Sequence, residues 1–324
     1  MAVLAIDIGG SKIRAGVVDV AGRVTGRAGC ALTGPLTAAG VLGAAVALGR
    51  ESLREGGAVE AVGVTIPGLA DPAAGVWVYA PFSGIRDVPV ADELGAVFGV
   101  PVAVENDVNA CALAEMRFGA CTGVADFVWV TISNGIGGAV VTGGRLLTGV
   151  DNAAGEIGHL IVAEDGPRCG CGHVGCAEAN AAGPAIARRY RAAVRGSAQA
   201  AGSDGPVVEP GGAAEADAAA IAALARGGDP VARRVYEDTG DLLGRALASV
   251  VSLLNPQAVI LGGGVSQSFD LFGPRLRATL EARAFAAALP GLRVEPTTLG
   301  VVAGLLGAAC VGLAGTPGRP DVRT

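Results

Sequence analysis

A strand, a glycine-rich turn and a second strand occur twice in this chain. The first copy reads Val-Leu-Ala-Ile-Asp-Ile at 3–8, Gly-Gly-Ser-Lys at 9–12 and Ile-Arg-Ala-Gly-Val-Val at 13–18. The second reads Phe-Val-Trp-Val-Thr-Ile at 127–132, Ser-Asn-Gly-Ile-Gly-Gly at 133–138 and Ala-Val-Val-Thr at 139–142, with a turn at 143–145 and an apolar pair beyond it. Short apolar runs, rich in β-branched residues and bounded by turn residues, are the pattern of buried strands. A duplicated hairpin implies a duplicated architecture with one copy per domain, and 324 residues is room for two ordinary domains.

The rest of the chain fits an α/β protein. Helical spacing covers 36–55, short apolar strands are expected at 61–66 and 101–104, and a helix that Asp107 can cap runs to about Phe118 with Glu115 in its body. Further helical patterns occupy 178–194, 216–226 and 229–254, followed by a strand at 258–261 and a last helical pair. The stretch 196–214, made largely of Gly, Ala, Ser and Pro, reads as a surface insertion. Strands alternating with helices imply sheets covered on their faces.

Composition excludes several classes of function. The formal charge is −6, and Lys12 is the only lysine, which opposes a nucleic-acid footprint. Apolar residues make up 51% of the chain, too many for disorder at so small a net charge. The N-terminus has no basic region before its apolar run and reads as a first strand, not a secretory signal. Residues 299–315 carry no charge but are short and small-residue-rich, so a helix packed inside the protein is expected there instead of a membrane span. Seven cysteines without an export signal point to a reducing cytoplasm, where thiols stay free or bind metal.

Neither hairpin is a known nucleotide loop of the common kinds. The chain has no Walker sequence and no dinucleotide-binding glycine pattern between a strand and a helix; in both glycine turns a second strand follows. Two hairpins with inward-facing amides can nevertheless cup the oxygens of a triphosphate. Asp7, at the end of the first strand, is placed to hold a hydrated Mg²⁺, or else simply closes the turn.

Glu105-Asn106-Asp107-Val-Asn109 crowds four polar residues between a strand end and a helix start. Capping by Asp107 or Asn106 accounts for one of them. A carboxylate at such a junction can accept a proton from a substrate hydroxyl, with Asn106 orienting that substrate.

The strongest single signal is Cys169-Gly-Cys171-Gly-His173-Val-Gly-Cys176, with Gly155-Glu156-Ile-Gly-His159 before it and Glu178 after it. Three thiolates and one imidazole satisfy tetrahedral Zn²⁺ as a closed structural site, and spacing leaves open whether His159 or His173 is the fourth ligand. The strand at 258–261 runs into Gly262, Gly263 and Gly264, bare backbone against which a bulky ligand can lie.

Taken in order, these motifs resemble the ROK family of sugar kinases, whose best-known members are bacterial glucokinases. The resemblance runs from Ala5 to about Gly312 and includes Ile-Pro-Gly-Leu-Ala-Asp at 66–71. It implies the actin-like ATPase (ribonuclease H-like) fold, two α/β domains around a central cleft. The small domain is expected at 1–118, completed by the C-terminal helix 301–315; the large one, with its zinc-binding segment 159–176, is expected at 119–300.

The resemblance implies that Asp107 is the catalytic base toward a sugar 6-hydroxyl. Gly68, Asn106, Glu156, His159 and Glu178 would contact the sugar. Asp7, Gly9, Gly10, Ser11 and Lys12 would form the first phosphate loop and its Mg²⁺ carboxylate. Asn134, Gly135, Gly137 and Gly138 would form the second, and Gly262 to Gly264 would face adenosine. His159, Cys169, Cys171 and Cys176 match the zinc ligands, which favours His159 over His173.

The implied activity is ATP-dependent phosphorylation of glucose, with an amino or N-acetylated hexose (glucosamine, kanosamine or N-acetylmannosamine) or non-catalytic sugar sensing as alternatives. The implied state is a cytoplasmic homodimer or homotetramer binding ATP and sugar but no nucleic acid and no membrane. Repressors of the family carry a helix-turn-helix segment ahead of the first loop, which this chain enters at once. Three departures stand beside the pockets. Asn134 replaces a common Thr; Pro81 or Phe82 and Ile85 stand where an Asn and a Trp are usual; and the wording at Ala177 and 180–184 differs.

Overall fold

The computed structural model describes residues 1–81, 83–200 and 216–315; Phe82 and most of the expected insertion fall outside the described residues. The chain opens with β1 (Ala2–Ile8), β2 (Lys12–Asp19) and β3 (Val24–Ala31), a meander of antiparallel strands. Helix α1 (Ala38–Gly56) follows, its N-terminus capped by the Thr37 hydroxyl, which accepts from the Gly40 amide at 3.2 Å. β4 (Ala61–Ile66) pairs parallel with β1. Three short strands, β5 (Leu69–Asp71), β6 (Val76–Tyr79) and β7 (Arg86–Val88), form a small antiparallel sheet. Then come α2 (Val90–Phe98), β8 (Val102–Asn106), parallel to β4, and α3 (Asp107–Phe118).

The first large sheet has the order β3-β2-β1-β4-β8. Its burial follows that order. β1 is buried from Val3 to Ile8, as a strand covered on both faces must be, whereas edge strand β3 alternates between half-buried and exposed.

The second hairpin is built from β9 (Phe127–Ile132) and β10 (Ile136–Thr142), continued by β11 (Arg145–Leu146) across a turn in which Gly143 and Gly144 both take positive φ. Helices α4 (Ala177–Ala181), α5 (Gly183–Ala200), α6 (Ala218–Arg226) and α7 (Pro230–Leu254) precede β12 (Ala258–Gly262), α8 (Phe269–Arg283), β13 (Arg293–Pro296) and α9 (Ala303–Ala314). The second large sheet runs β11-β10-β9-β12-β13, with β12 and β13 parallel, and repeats the strand order of the first. The duplication expected from the two hairpins is thus present in the topology.

Two expectations need correction. The helix expected at 178–194 is broken at Ala182, which is extended, so that α5 restarts with Pro184 in its first turn, where the missing N–H costs nothing. The last helical pair is separated by β13, a short edge strand that was not anticipated.

Residue contacts divide the chain into two compact units, one of Met1–Phe127, Ala139–Gly155 and the chain from Thr297, the other of Val128–Gly138 and Glu156–Pro296. In the first, the uncharged C-terminal helix α9 is almost wholly buried, and no described helix is long and apolar enough to cross a membrane. Its small residues set how near it comes. A Cβ on Gly307 would stand 2.6 Å from the Ala110 carbonyl in α3, and one on Gly63 of β4 would stand 1.8 Å from the Ala308 carbonyl.

Gly63→Ala should therefore push α9 off the sheet and cost about 2–3 kcal/mol of stability. Gly43→Ala, on the exposed side of α1 with nothing near its Cβ, should instead add about 0.5–1 kcal/mol. Denaturant unfolding of the two variants against the parent checks both signs.

Candidate active site

In the first unit the parallel strands bring a polar row to their carboxyl ends. Asp7 of β1 lies opposite Thr65 of β4, and Thr65 lies opposite Glu105 of β8. Asp7 Oδ1 accepts from the Thr65 hydroxyl at 3.0 Å, and its Oδ2 pairs with the Arg14 guanidinium at 3.3 Å. The carboxylate is therefore oriented from two neighbouring strands. A Cβ on Gly304, at the start of α9, would come within 2.4 Å of it.

The junction between β8 and α3 resolves the crowd of polar residues there. Asn106, not Asp107, is the helix cap: its Oδ1 accepts from the amides of Val108 at 2.9 Å and Asn109 at 3.0 Å. Asp107 is already the first helical residue, and its carboxylate accepts from the backbone amides of Val108 and of Asp107 itself. Buried Glu105 accepts from the Asn106 amide at 2.9 Å and from the Asn109 side chain at 3.2 Å. Asn106 Nδ2 donates to the Gly68 carbonyl at 2.9 Å and lies 3.3 Å from Asp107 Oδ1. Glu105, Asn106 and Asn109 thus brace the junction, with Asp107 beside them at the start of α3.

Gly68 itself is held in the left-handed region, φ 89°, where a Cβ would strike the Tyr79 carbonyl. The turn that follows Tyr79 brings Ile85 into the core and stacks the Arg86 guanidinium 3.9 Å over the Tyr79 ring. This is the segment in which the usual Asn and Trp are replaced.

Asp107 is half-buried, yet its surroundings desolvate it strongly. That desolvation, reinforced by the charge of Asp7, raises its pKa to about 7. Cys111, one turn further along α3, feels the same environment: burial first, then Asp7 and Asp107, push its thiol well above the ordinary range.

The first glycine turn is closed by the Gly9 amide donating to the Lys12 carbonyl at 2.9 Å, and Gly10, Ser11 and Lys12 are exposed at its tip. Gly10 has an ordinary φ and nothing within 4 Å of a Cβ. Nothing inside the chain demands a glycine there, which leaves the tip bare for a ligand.

In the second unit, buried Gly262 is demanded by Trp129, whose ring would lie 2.1 Å from a Cβ, while Gly264 is exposed with open space around it. Asn134 is exposed at the tip of the second hairpin, and Gly135, Gly137 and Gly138 are half-buried along it.

The cysteine segment folds as a knuckle. The Cys169 amide donates to the His173 carbonyl at 2.8 Å, and the Gly172 amide to the Cys169 carbonyl at 2.9 Å. This brings one ligand atom each from His159, Cys169, Cys171 and Cys176 within 4.8 Å of one another. The Cys169 Sγ to His159 Nδ1 and Cys171 Sγ to Cys176 Sγ separations are both 3.6 Å. A tetrahedron with bonds of about 2.3 Å has edges of about 3.8 Å, so the donor set fits a zinc ion. Hydrogen bonds from His173, its backbone amide first, lower the Cys171 thiol to about 6, whereas burial raises Cys169 and pushes Cys176 up to about 12. His173 touches Cys171 at 3.6 Å but stays outside the four-atom group.

His159 turns its other nitrogen, Nε2, to Glu156 Oε2 at 3.7 Å. Glu178 points Oε1 toward Cys169 Sγ at 3.7 Å and Oε2 toward the Ile136 amide, which donates to it at 3.0 Å.

The candidate sugar residues therefore form two groups: Gly68, Asn106 and Asp107 in the first unit, and Glu156, His159 and Glu178 in the second. Arg14 and Thr65, which orient Asp7, were not anticipated. The symmetry of the first hairpin places Arg14 opposite Asp7 and was a readable signal; the Thr65 pairing depends on a parallel neighbour far along the chain and was not.

The ROK family description matches residues 3–314. The glucokinase of Thermotoga maritima is 38% identical over 253 residues, covering 77% of this chain and 78% of that protein. The glucokinase of Streptomyces coelicolor is 33% identical over 312 residues, covering 94% and 96%. Among solved structures, a ROK family glucokinase from Streptomyces griseus in complex with glucose and AMPPNP superposes with a TM-score of 0.83 at 36% identity, covering 97% of this chain and 99% of that one. The mixed α/β fold is that of the ROK glucokinase structures, the actin-like ATPase fold, and the chain belongs to the ROK family.

Proposed function

We propose that this protein is an ATP-dependent hexose kinase that phosphorylates the 6-hydroxyl of its sugar, with glucose the first candidate. The observation that carries this reading is Asp107: although Asn106 Nδ2 lies 3.3 Å from its carboxylate and backbone amides of the first turn donate to it, burial, with the charge of Asp7 beside it, raises its pKa to about 7. A base so poised is ionised often enough at neutral pH to accept a proton and basic enough to take it from an attacking hydroxyl. Similarity to glucokinases on both sides of the comparison supports the same chemistry.

In the proposed mechanism, Asn106 and the Gly68 carbonyl fix where Asp107 stands, and Glu156, His159 and Glu178 complete the sugar's contacts. The amides of the two glycine hairpins, with Lys12, receive the phosphates. Gly262 to Gly264 face the nucleoside. Mg²⁺ arriving with ATP would meet the Asp7 carboxylate and neutralise phosphoryl charge. Asp107 accepts the hydroxyl proton as the sugar oxygen bonds to the γ-phosphorus and the bond from that phosphorus to the β,γ-bridging oxygen breaks, releasing ADP.

His159, Cys169, Cys171 and Cys176 would hold a structural Zn²⁺. With Nδ1 on the metal, the Nε2 proton of His159 faces Glu156, so the ion would orient the imidazole from behind the sugar contacts. The lobes 1–118 with 301–315 and 119–300, a homodimer or homotetramer, and action in the cytoplasm belong to the same proposal.

Three measurements bear on it. Coupled ADP release across a hexose panel should give turnover with glucose. Turnover only with an amino or N-acetylated hexose would move the substrate, and sugar binding with no turnover on any hexose would favour a sensor.

Asp107→Asn should lower kcat by about 10²–10⁴-fold while sugar binding persists. In the parent, kcat/KM for sugar should fall as pH drops through about 7, because a carboxyl with a raised pKa is protonated, and inactive as a base, below that value. Retained turnover in the variant, or a profile flat down to pH about 5, would remove Asp107 from the role.

Elemental analysis should find about one zinc per chain, kept by His173→Ala and lost by His159→Ala. The reverse pattern would exchange the two histidines.

A further inference from the structure

The second glycine hairpin is gripped at three points by the stretch that carries the cysteine knuckle. The Ile136 amide donates to Glu178 Oε2 at 3.0 Å, and the Gly183 amide donates to the Ser133 carbonyl at 2.8 Å. Gly158, next to His159, lies so close that a Cβ would stand 1.9 Å from the Ile136 carbonyl. Of the three, only the Glu178 contact is made by a side chain, and its acceptor is a carboxylate, which makes it the strongest single tie.

The local sequence is built around that tie. Glu178 is the second residue of α4, two positions after Cys176, which stands at the helix N-cap, so the knuckle fixes where its side chain starts. Its Oε1 faces Cys169 while its Oε2 reaches the hairpin. Gly135 leaves the necessary gap, since a Cβ there would come within 2.5 Å of Oε2. Any larger residue at 135 would push the carboxylate off the Ile136 amide.

We propose that Glu178 is a positioning residue for the phosphate donor: by holding the Ile136 amide it sets the second phosphate hairpin against the cysteine knuckle. The residue that the family pattern assigns to the sugar thus also governs how the nucleotide's phosphates are received. This rests on the kinase reading, in which 134–138 face those phosphates. A consequence is that damage at the knuckle weakens nucleotide binding even where no sugar is present.

The test is calorimetric titration of a non-hydrolysable ATP analogue with Mg²⁺ into the full-length, sugar-free protein, with zinc content measured on each sample. Glu178→Ala should weaken the analogue about tenfold, the loss expected for one charge-assisted hydrogen bond. Glu178→Gln, whose amide oxygen can still accept from Ile136, should stay within about threefold of the parent. Gly135→Ala, which touches no metal ligand, should also cost about tenfold, and should add nothing further in the Glu178→Ala background, because the group it displaces is already gone.

Analogue affinity unchanged in Glu178→Ala, penalties that simply add in the double variant, or a Gln variant as weak as the Ala variant would each overturn the proposal. Loss of zinc from Glu178→Ala would leave the decision to the Gln and Gly135→Ala samples. A parent protein that binds no nucleotide at all would instead sink the kinase reading and this inference with it.

Discussion

The feature on which the rest depends is a division of labour at one strand-to-helix junction. Five consecutive positions carry four polar side chains, and Glu105 Oε1, Asn106 Oδ1 and the Asn109 side-chain amide bond within the junction itself. The cap falls on Asn106, and Asp107 is the first helical residue. The Asp107 carboxylate still accepts from the Val108 amide and its own, which pull its pKa down, but desolvation and the charge of Asp7 outweigh them. Its place as the first helical residue leaves it in a desolvating environment beside a second negative charge, which raises its pKa to about 7.

Around that group the fold does two things. It fixes the neighbours: Gly68 is locked between the Tyr79 backbone and the Asn106 amide, and Asp7 between Thr65 and Arg14. It also lets α9 come close enough to hold α3 and β1 together, through glycines facing Ala110 and Asp7. In the other unit, an equally small set of contacts makes the cysteine knuckle and the second hairpin one piece, because Glu178, Gly158 and Gly183 all grip residues 133–136.

Much of this was legible in the residues alone. The paired hairpins announced the repeated sheet order, the Cys-x-Cys spacing announced the ligand cluster, and helix and strand boundaries near 61–66, 107–118 and 229–254 lay within a few residues of those found. What escaped notice has physical reasons. The sheet β5-β6-β7 is made of strands of three or four residues, too short to show a period of two. β13, Arg-Val-Glu-Pro, is a short, partly exposed edge strand whose charges and proline mask it. Whether Asn106 or Asp107 caps α3 depends on one residue's backbone angles, for which both side chains are suited. The contact between Glu178 and Ile136 spans 42 positions, and only tertiary folding brings them together.

The most direct test of Asp107's state needs no substrate: a pH titration of its carboxyl carbon by NMR in the ligand-free protein. A midpoint near 7, falling when Asp7 is replaced by Asn, is the expected result. A midpoint near 4, the ordinary aspartate range of about 3.9, indifferent to Asp7, would show that Asp107 is an unremarkable surface acid and would contradict its role as the base.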